Sequence, residues 1–286
     1  MTSTIPAHLS RVLLATAALS AMAAFALSSA ARAQQNLQQP GQKPADKVGK
    51  SDWDIRLGAG GLFQPDYEGS DDYEVKPLPL LMVNYRDLVF LRGTTLGANA
   101  ITLQGPNPGD RLQIGPLVRY SFGRDEDDND DLRGLGDIDG GVEIGGFITY
   151  TTGPWSAGLT LFRDVSDAHD GLTAELSAGH RLALGPKLML RSKISTTWAD
   201  DDYTQSFYGV TATQAARSGM RQYEAESGFK DAGITFDLDY RVTENWSVTG
   251  RVGYKRLLGD AADSPLVADR GSENQFITGL FVSYKF

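Results

Sequence analysis

The chain offers few residues with which to do chemistry. It has 3 histidines and no cysteine in 286 residues. One histidine, His169, lies in "SDAHDG", with Ser166, Asp167 and Asp170 beside it. Hydrolysis by a nucleophile needs a base next to a hydroxyl and a third group to orient the base. Residues this close along the chain seldom converge in that way. No G-x-S-x-G elbow is present and no histidine cluster suits zinc. His180 falls on an apolar alternation with Leu176, Ala178 and Leu182. The run "RDEDDNDD" at 124–131 is the densest charge feature. A helix-loop-helix calcium site needs Gly at position six and Glu at twelve. Counting from Asp125 gives Asp130 and Gly136, so the run reads as a solvated, mobile loop, with loose divalent-cation contact to lipopolysaccharide as its alternative. No catalytic residue, cofactor or metal site is expected.

The elements that position these residues are strands. The chain ends "QFITGLFVSYKF", with Phe276, Thr278, Leu280, Val282, Tyr284 and Phe286 on one side of a period of two. Runs of about ten alternating residues between turn signals are the signature of a membrane barrel. Twelve such runs occur: 53–64, 73–85, 88–93, 96–103, 111–122, 138–150, 154–165, 171–184, 188–200, 228–241, 246–258 and 274–286. The pair 88–93 and 96–103 is the weakest of these and reads alternatively as one bulged strand; the count expected is about twelve, with ten as the alternative. Connections alternate between short turns and longer loops, among them 65–72, 123–137, 201–227 and 259–273. The fold class expected is all-β: a transmembrane antiparallel outer-membrane barrel with both termini periplasmic. Aromatic residues form two girdles, Trp53, Tyr85, Tyr150, Trp155, Tyr240, Trp246, Tyr284 and Phe286 at one rim and Tyr120, Phe122 and Trp198 near the other. Pro77 and Pro79 cannot donate to a ladder, so a bulge or irregular pairing is expected there.

The start of the chain supports export. Residues 1–33 carry no acid, hold an apolar run after Arg11 and end in "ARA". They read as a cleaved signal peptide. Residues 34–50 are polar and aperiodic and read as a disordered periplasmic leader, leaving 51–286 as the barrel. Loss of Arg11 and Arg32 would take the formal charge from -9 to -11, which gives no electrostatic reason to bind nucleic acid. Closure in lipid requires 274–286 to pair with 53–64. Phe286, Tyr284 and Val282 are then the expected signal for the β-barrel assembly machinery.

Alternation places Arg56, Arg111, Arg119, Arg181, Arg191, Lys193, Arg251 and Lys255 in the lumen, with Glu143, Glu175, Asp237 and Asp239 as its acids. That lumen is net positive. Asp237 and Asp239 come near Arg251 across a turn, which favours a cross-linked interior. Loop 201–227 is expected to hold a short helix at "TATQAARSG", 211–219; the sequence leaves open whether the loop folds inward.

Four segments carry a resemblance: "GAGGLFQPDYEGSDDYEVKPLPLLMVNYRD" at 58–87, "YGVTATQAARSGMRQYEAESGFKDAG" at 208–233, "YKRLLGDAADSPLV" at 254–267, and "FVSYKF" at the end. The chain resembles the MipA/OmpV family (MltA-interacting protein) of Gram-negative outer-membrane proteins. The resemblance implies a scaffold joining a murein transglycosylase to a penicillin-binding protein. It also admits solute or antibiotic uptake and adhesion, and a narrow anion-preferring channel fits the lumen charges. Within the first segment Pro65, Asp66, Tyr67 and Gly69 form a signature loop. Pro65 and Gly69 punctuate a turn that Asp66, Ser70 and Asp71 are suited to cap.

Overall fold

A computed structural model describes residues 51–286. The signal peptide and leader read from 1–33 and 34–50 lie outside the described residues. Thirteen strands follow in order: β1 (Trp53–Pro65), β2 (Tyr73–Tyr85), β3 (Val89–Arg92), β4 (Thr95–Ala98), β5 (Ile101–Gln104), β6 (Arg111–Ser121), β7 (Gly141–Thr152), β8 (Trp155–Asp164), β9 (Leu172–Ala183), β10 (Leu188–Ala199), β11 (Gly228–Arg241), β12 (Trp246–Leu257) and β13 (Asn274–Lys285). Each pairs antiparallel with its sequence neighbours, except that β4 skips β5 to pair with β6. The first and last strands meet from Arg56↔Lys285 to Phe63↔Thr278. Both β4 and β5 lie against β6, at Thr95↔Arg119 to Gly97↔Leu117 and at Ile101↔Ile114 to Gln104↔Arg111. They form one stave broken near Asn99. The result is a closed barrel of twelve staves.

The break has a local cause. An added Cβ at Gly115 would lie 1.6 Å from the Ala98 carbonyl oxygen, and Pro116 beside it has no N–H to offer a neighbour. The single strand expected at 96–103 is therefore two short ones. The bulge expected at Pro77 and Pro79 is absent. The pairing of β1 with β2 runs without a shift from Trp53↔Tyr85 to Pro65↔Tyr73, with Ala59↔Pro79 and Gly61↔Pro77 inside it. The prolines are accommodated on the other edge. Gly93 N donates to Leu81 O, so the odd positions of β2 turn their main-chain groups away from β1, where β3 is too short to reach them.

The outward alternation is apolar. Val75, Leu176, Ile194, Val252 and Leu280 are exposed along the wall. Trp53, Trp155, Trp246 and Phe286 ring the end where the described chain starts and where it finishes at Phe286, and Phe63, Phe122, Phe229 and Phe276 ring the opposite end. Trp53 packs on Tyr85 at 4.6 Å and Trp155 on His180 at 4.2 Å between ring centroids. We call the first end the turn rim and the second the loop rim.

At the loop rim four helices stand between strands: α1 (Asp201–Tyr208), α2 (Ala212–Ser218), α3 (Gly259–Asp263) and α4 (Pro265–Ala268). Asp200 caps α1 through Tyr203 N. Thr211 and Gln214 form a capping box on α2, which ends at Gly219 with φ 74°. Only the second helix is legible as such in the sequence.

Candidate functional site

The loops at the loop rim fold on one another. Tyr67, Leu132, Leu135, Val210, Met220 and Leu266 form one buried apolar cluster, drawn from four separate connections. Tyr208, Ala225, Leu257, Ala261 and Val267 form a second. The acidic run 124–131, expected to be solvated and mobile, keeps Asp125, Asp127, Asp128 and Asp130 exposed, but the connection that holds it is part of this cap. Leu132 is 0% exposed. Glu126 accepts from Gly134 N and Gly136 N, and Asn129 Nδ2 donates to Asp66 and Asp72. Arg124 Nη1 donates to Phe207 O at 2.7 Å, tying the connection after β6 to α1. Asp71, Asp72 and Asp131 converge at the surface of the cap.

The signature loop sits at the centre. Pro65 ends β1, and Tyr67 enters the first apolar cluster. Gly69 has φ 105°, and a Cβ there would lie 2.6 Å from the Val267 side chain. The buried Gln275 side chain accepts from Gly69 N and donates to Ser70 O. Of the three capping side chains expected, Ser70 caps Asp72 N, whereas Asp66 takes Asn129 instead.

Between Tyr67 and Gly69, Glu68 points down into the barrel. A register shift in β11 at Thr197/Trp198 leaves Lys230 as an extra residue, since Trp198 faces Phe229 and Thr197 faces Asp231. Such bulges re-aim side chains, and here Lys230 and Asp231 are both buried. Lys230 Nζ lies 2.9 Å from Glu68 Oε1 and 2.7 Å from Asp231 Oδ2, and Lys255 Nζ lies 2.5 Å from the same Glu68 oxygen. Burial opposes charge on Glu68, but the Lys230 and Lys255 ammonium groups outweigh it and hold the carboxyl well below the usual range. Burial pushes the Tyr203 hydroxyl beside this cluster up to about 12.

A second group lies across the lumen. Arg119 donates to Glu143, and His169 Nε2 lies 3.3 Å from the other Glu143 oxygen. His169 Nδ1 accepts from Gly171 N, which turns Nε2 towards Glu143. Ser166 is committed elsewhere: its hydroxyl donates to Asp164 Oδ1 and accepts from Val142 N. Asp164 also takes the main-chain N–H groups of Ala168, His169 and Asp170. The residues that suggested a triad thus build a loop.

Below the cap lie two adjacent cavities, about 610 and 820 Å³, that share Thr160, Phe162, Lys193 and Thr235 in their linings. Arg251 forks onto Asp237 at 2.6 and 3.0 Å, Arg191 reaches Asp239 at 2.9 Å and Asp237 at 3.8 Å, and Lys193 meets Glu175 at 2.7 Å. Arg111 lies 3.9 Å from the exposed Asp87. Among the described residues, Arg56, Arg92 and Arg181 have no carboxylate within salt-bridge distance. At the seam, Val282 and Phe286 are exposed on the outer face, Phe286 N donates to Ile55 O, and the Tyr284 ring packs on Trp246 and Phe286.

Sequence reasoning missed Glu68, Lys230, Asp231 and Arg92. For Lys230 a signal existed. Unbroken alternation back from Asp237 puts this lysine on the lipid side, and such a placement is the mark of a bulge.

The family model for the MltA-interacting protein MipA matches residues 57–286. The putative outer membrane protein YiaT of Escherichia coli (strain K12) is 26% identical over 238 residues, covering 82% of this chain and 91% of that protein. The MltA-interacting protein of the same strain is 26% identical over 242 residues, 84% and 93% of the two chains. Outer membrane protein OmpV of Vibrio cholerae is 25% identical over 182 residues, 63% and 68% of the two chains.

Proposed function

This chain belongs to the MltA-interacting protein family of outer-membrane β-barrels, and from that premise we propose that it is a non-enzymatic, capped barrel that works through protein partners. The observation that carries this reading is the cap. Its two apolar clusters hold residues as buried as a soluble core, with Leu132, Val210 and Leu257 at 0% exposure. A conducting mouth is lined by water, not by a packed core. The loops instead close one end, and the exchange surface is left at the turn rim.

In this reading the loop rim faces outward, where lipopolysaccharide lies, and the turn rim and both termini face the periplasm. The relative's name supplies the first partner to try, a murein transglycosylase, and the family resemblance adds a penicillin-binding protein. The turns at this rim are small, and a stable interface needs ~800 Å² per partner. Residues 34–48, polar and aperiodic, are the natural supplement, because a segment that folds on binding covers a large surface. Val282, Tyr284 and Phe286 act as the assembly signal.

The test is capture from a periplasmic extract. The full-length barrel retains murein enzymes, and deletion of residues 34–48 leaves barrel assembly intact but weakens retention. Undiminished capture by the shortened protein removes the leader from the interface. Capture of nothing by the full-length protein overturns the scaffold reading. A second reading, a narrow anion-preferring channel, is favoured by the unpaired Arg56, Arg92 and Arg181, and conductance separates the two.

A further inference from the structure

One stretch of the wall is missing. Above the β3–β4 hairpin, whose tip is Gly93–Thr94, no strand lies between β2 and β6. The last ties across the tip are Gly93 N to Leu81 O and Tyr120 N to Thr94 O. Beyond them β2 continues from Leu80 to Tyr73, paired only with β1. Three strand spacings of ~4.8 Å separate β2 from β6 at the hairpin, so the gap is roughly 14 Å wide at its base. It is roofed by the 123–138 segment, where Asn129 reaches Asp66 and Asp72.

Bare strand edges are costly in hydrocarbon, because each unpaired N–H is unsolvated there. This edge is adapted to that cost. Of the four positions that turn their main chain towards the gap, Tyr73 is at the rim and Pro77 and Pro79 have no N–H to satisfy, which leaves Val75 as the one bare N–H within the wall. An edge built to have no partner marks an opening, not a strand awaiting a neighbour.

The β2 side of the opening and its sill are amphiphilic. Leu78 and Leu80 share the lumen face with Met82 and Asn84, which line the larger cavity. Arg92, opposite Met82 at the sill, reaches into the same cavity. Its guanidinium lies 4.5 Å from the Phe90 ring centroid, and no carboxylate among the described residues pairs with it. A free cation on a wet sill, with leucines above it and hydrocarbon outside, matches one kind of molecule. We propose that this opening admits a membrane lipid with an anionic phosphate head group, the phosphate at Arg92 in the lumen and an acyl chain passing between β2 and β6 into the bilayer.

The barrel is reconstituted in vesicles of phosphatidylcholine with phosphatidylglycerol, and retained lipid is counted by native mass spectrometry. The wild type keeps phosphatidylglycerol in preference to phosphatidylcholine. Arg92→Ala lowers that retention about tenfold, the effect of one charge-assisted contact. Arg92→Lys keeps most of it, and Arg56→Ala, a free lumen cation away from the opening, keeps all of it. Equal retention of both lipids, or equal loss in Arg56→Ala, overturns the assignment to Arg92. The opening itself is tested separately, because the chain has no native cysteine. A maleimide carried on a bilayer-anchored acyl chain labels Leu80→Cys at a rate near that of the outward-facing Leu176→Cys, while Ser195→Cys, across the lumen, is spared. Protection of Leu80→Cys to the level of Ser195→Cys overturns the opening. Heat-modifiable migration checks that each variant has folded.

Discussion

The two halves of the lumen are built on opposite terms. In the loop half, Lys230 is 7% exposed and held between Glu68 and Asp231, and Glu143 is 2% exposed between Arg119 and His169. These charges have partners because, out of water, a lone charge is prohibitive. In the turn half, Arg191 and Arg251 are paired with Asp237 and Asp239, but Arg56, Arg92 and Arg181 carry charge with no carboxylate among the described residues, which a hydrated space allows. The contrast separates charges that hold the molecule shut from charges left free to meet something else.

The contrast is broken most directly by removing one member of the buried set. Lys230→Ala leaves the buried Asp231 without its partner and Glu68 with Lys255 alone, and should cost about 3–5 kcal/mol, read as earlier chemical unfolding and as new protease cleavage within 201–227. Leu132→Ala, in the cap's apolar cluster, should cost about 2–5 kcal/mol in the same assay and loosen the same loops. A charge on the lipid face tests the wall rather than the lumen: Val252→Arg, at the middle of β12, should cost about 2–4 kcal/mol and reduce the heat-modifiable form. A Val252→Arg variant as stable as a rim substitution would show the facing to be wrong.

Acid sharpens the contrast further. Glu68 has a depressed carboxyl pKa, so its contribution is fully present above the ordinary value of 4.5 and is lost as pH falls below it towards the folded-state value. Protease resistance of the cap should therefore be flat from neutral pH to about 4.5 and fall below that, with a weaker acid transition in Glu68→Gln. The smallest effect belongs to the turn half. Arg181→Ala should change stability by no more than about 0.5 kcal/mol, and a large loss there would erase the distinction between the halves.

The strands were legible because lipid on one side and a polar lumen on the other impose a period of two along β1, β6, β9, β11 and β13. The helix at Ala212–Ser218 was legible from its helix formers and its lack of alternation, and its capping box came only with the structure. The cap was not. Leu132, Val210 and Leu266 are far apart in sequence, and only the folded chain brings them into one cluster. The acidic run around Asn129 reads as solvated because its bonds to Asp66 and Asp72 are equally distant. Glu68 was hidden inside a segment that also makes a good turn. The prolines of β2 were read as a local defect in pairing, when their meaning lies in the strand that is absent beside them. Local pattern thus gave the wall, and long-range contact decided what the wall encloses.

The central claim is that a folded cap closes this barrel. Planar-bilayer recording of the purified full-length protein tests it most directly. The account predicts a quiet baseline for the wild type and anion-selective current once Lys230→Ala has loosened the cap. Steady, porin-like conductance in the wild type, unchanged in Lys230→Ala, would contradict it.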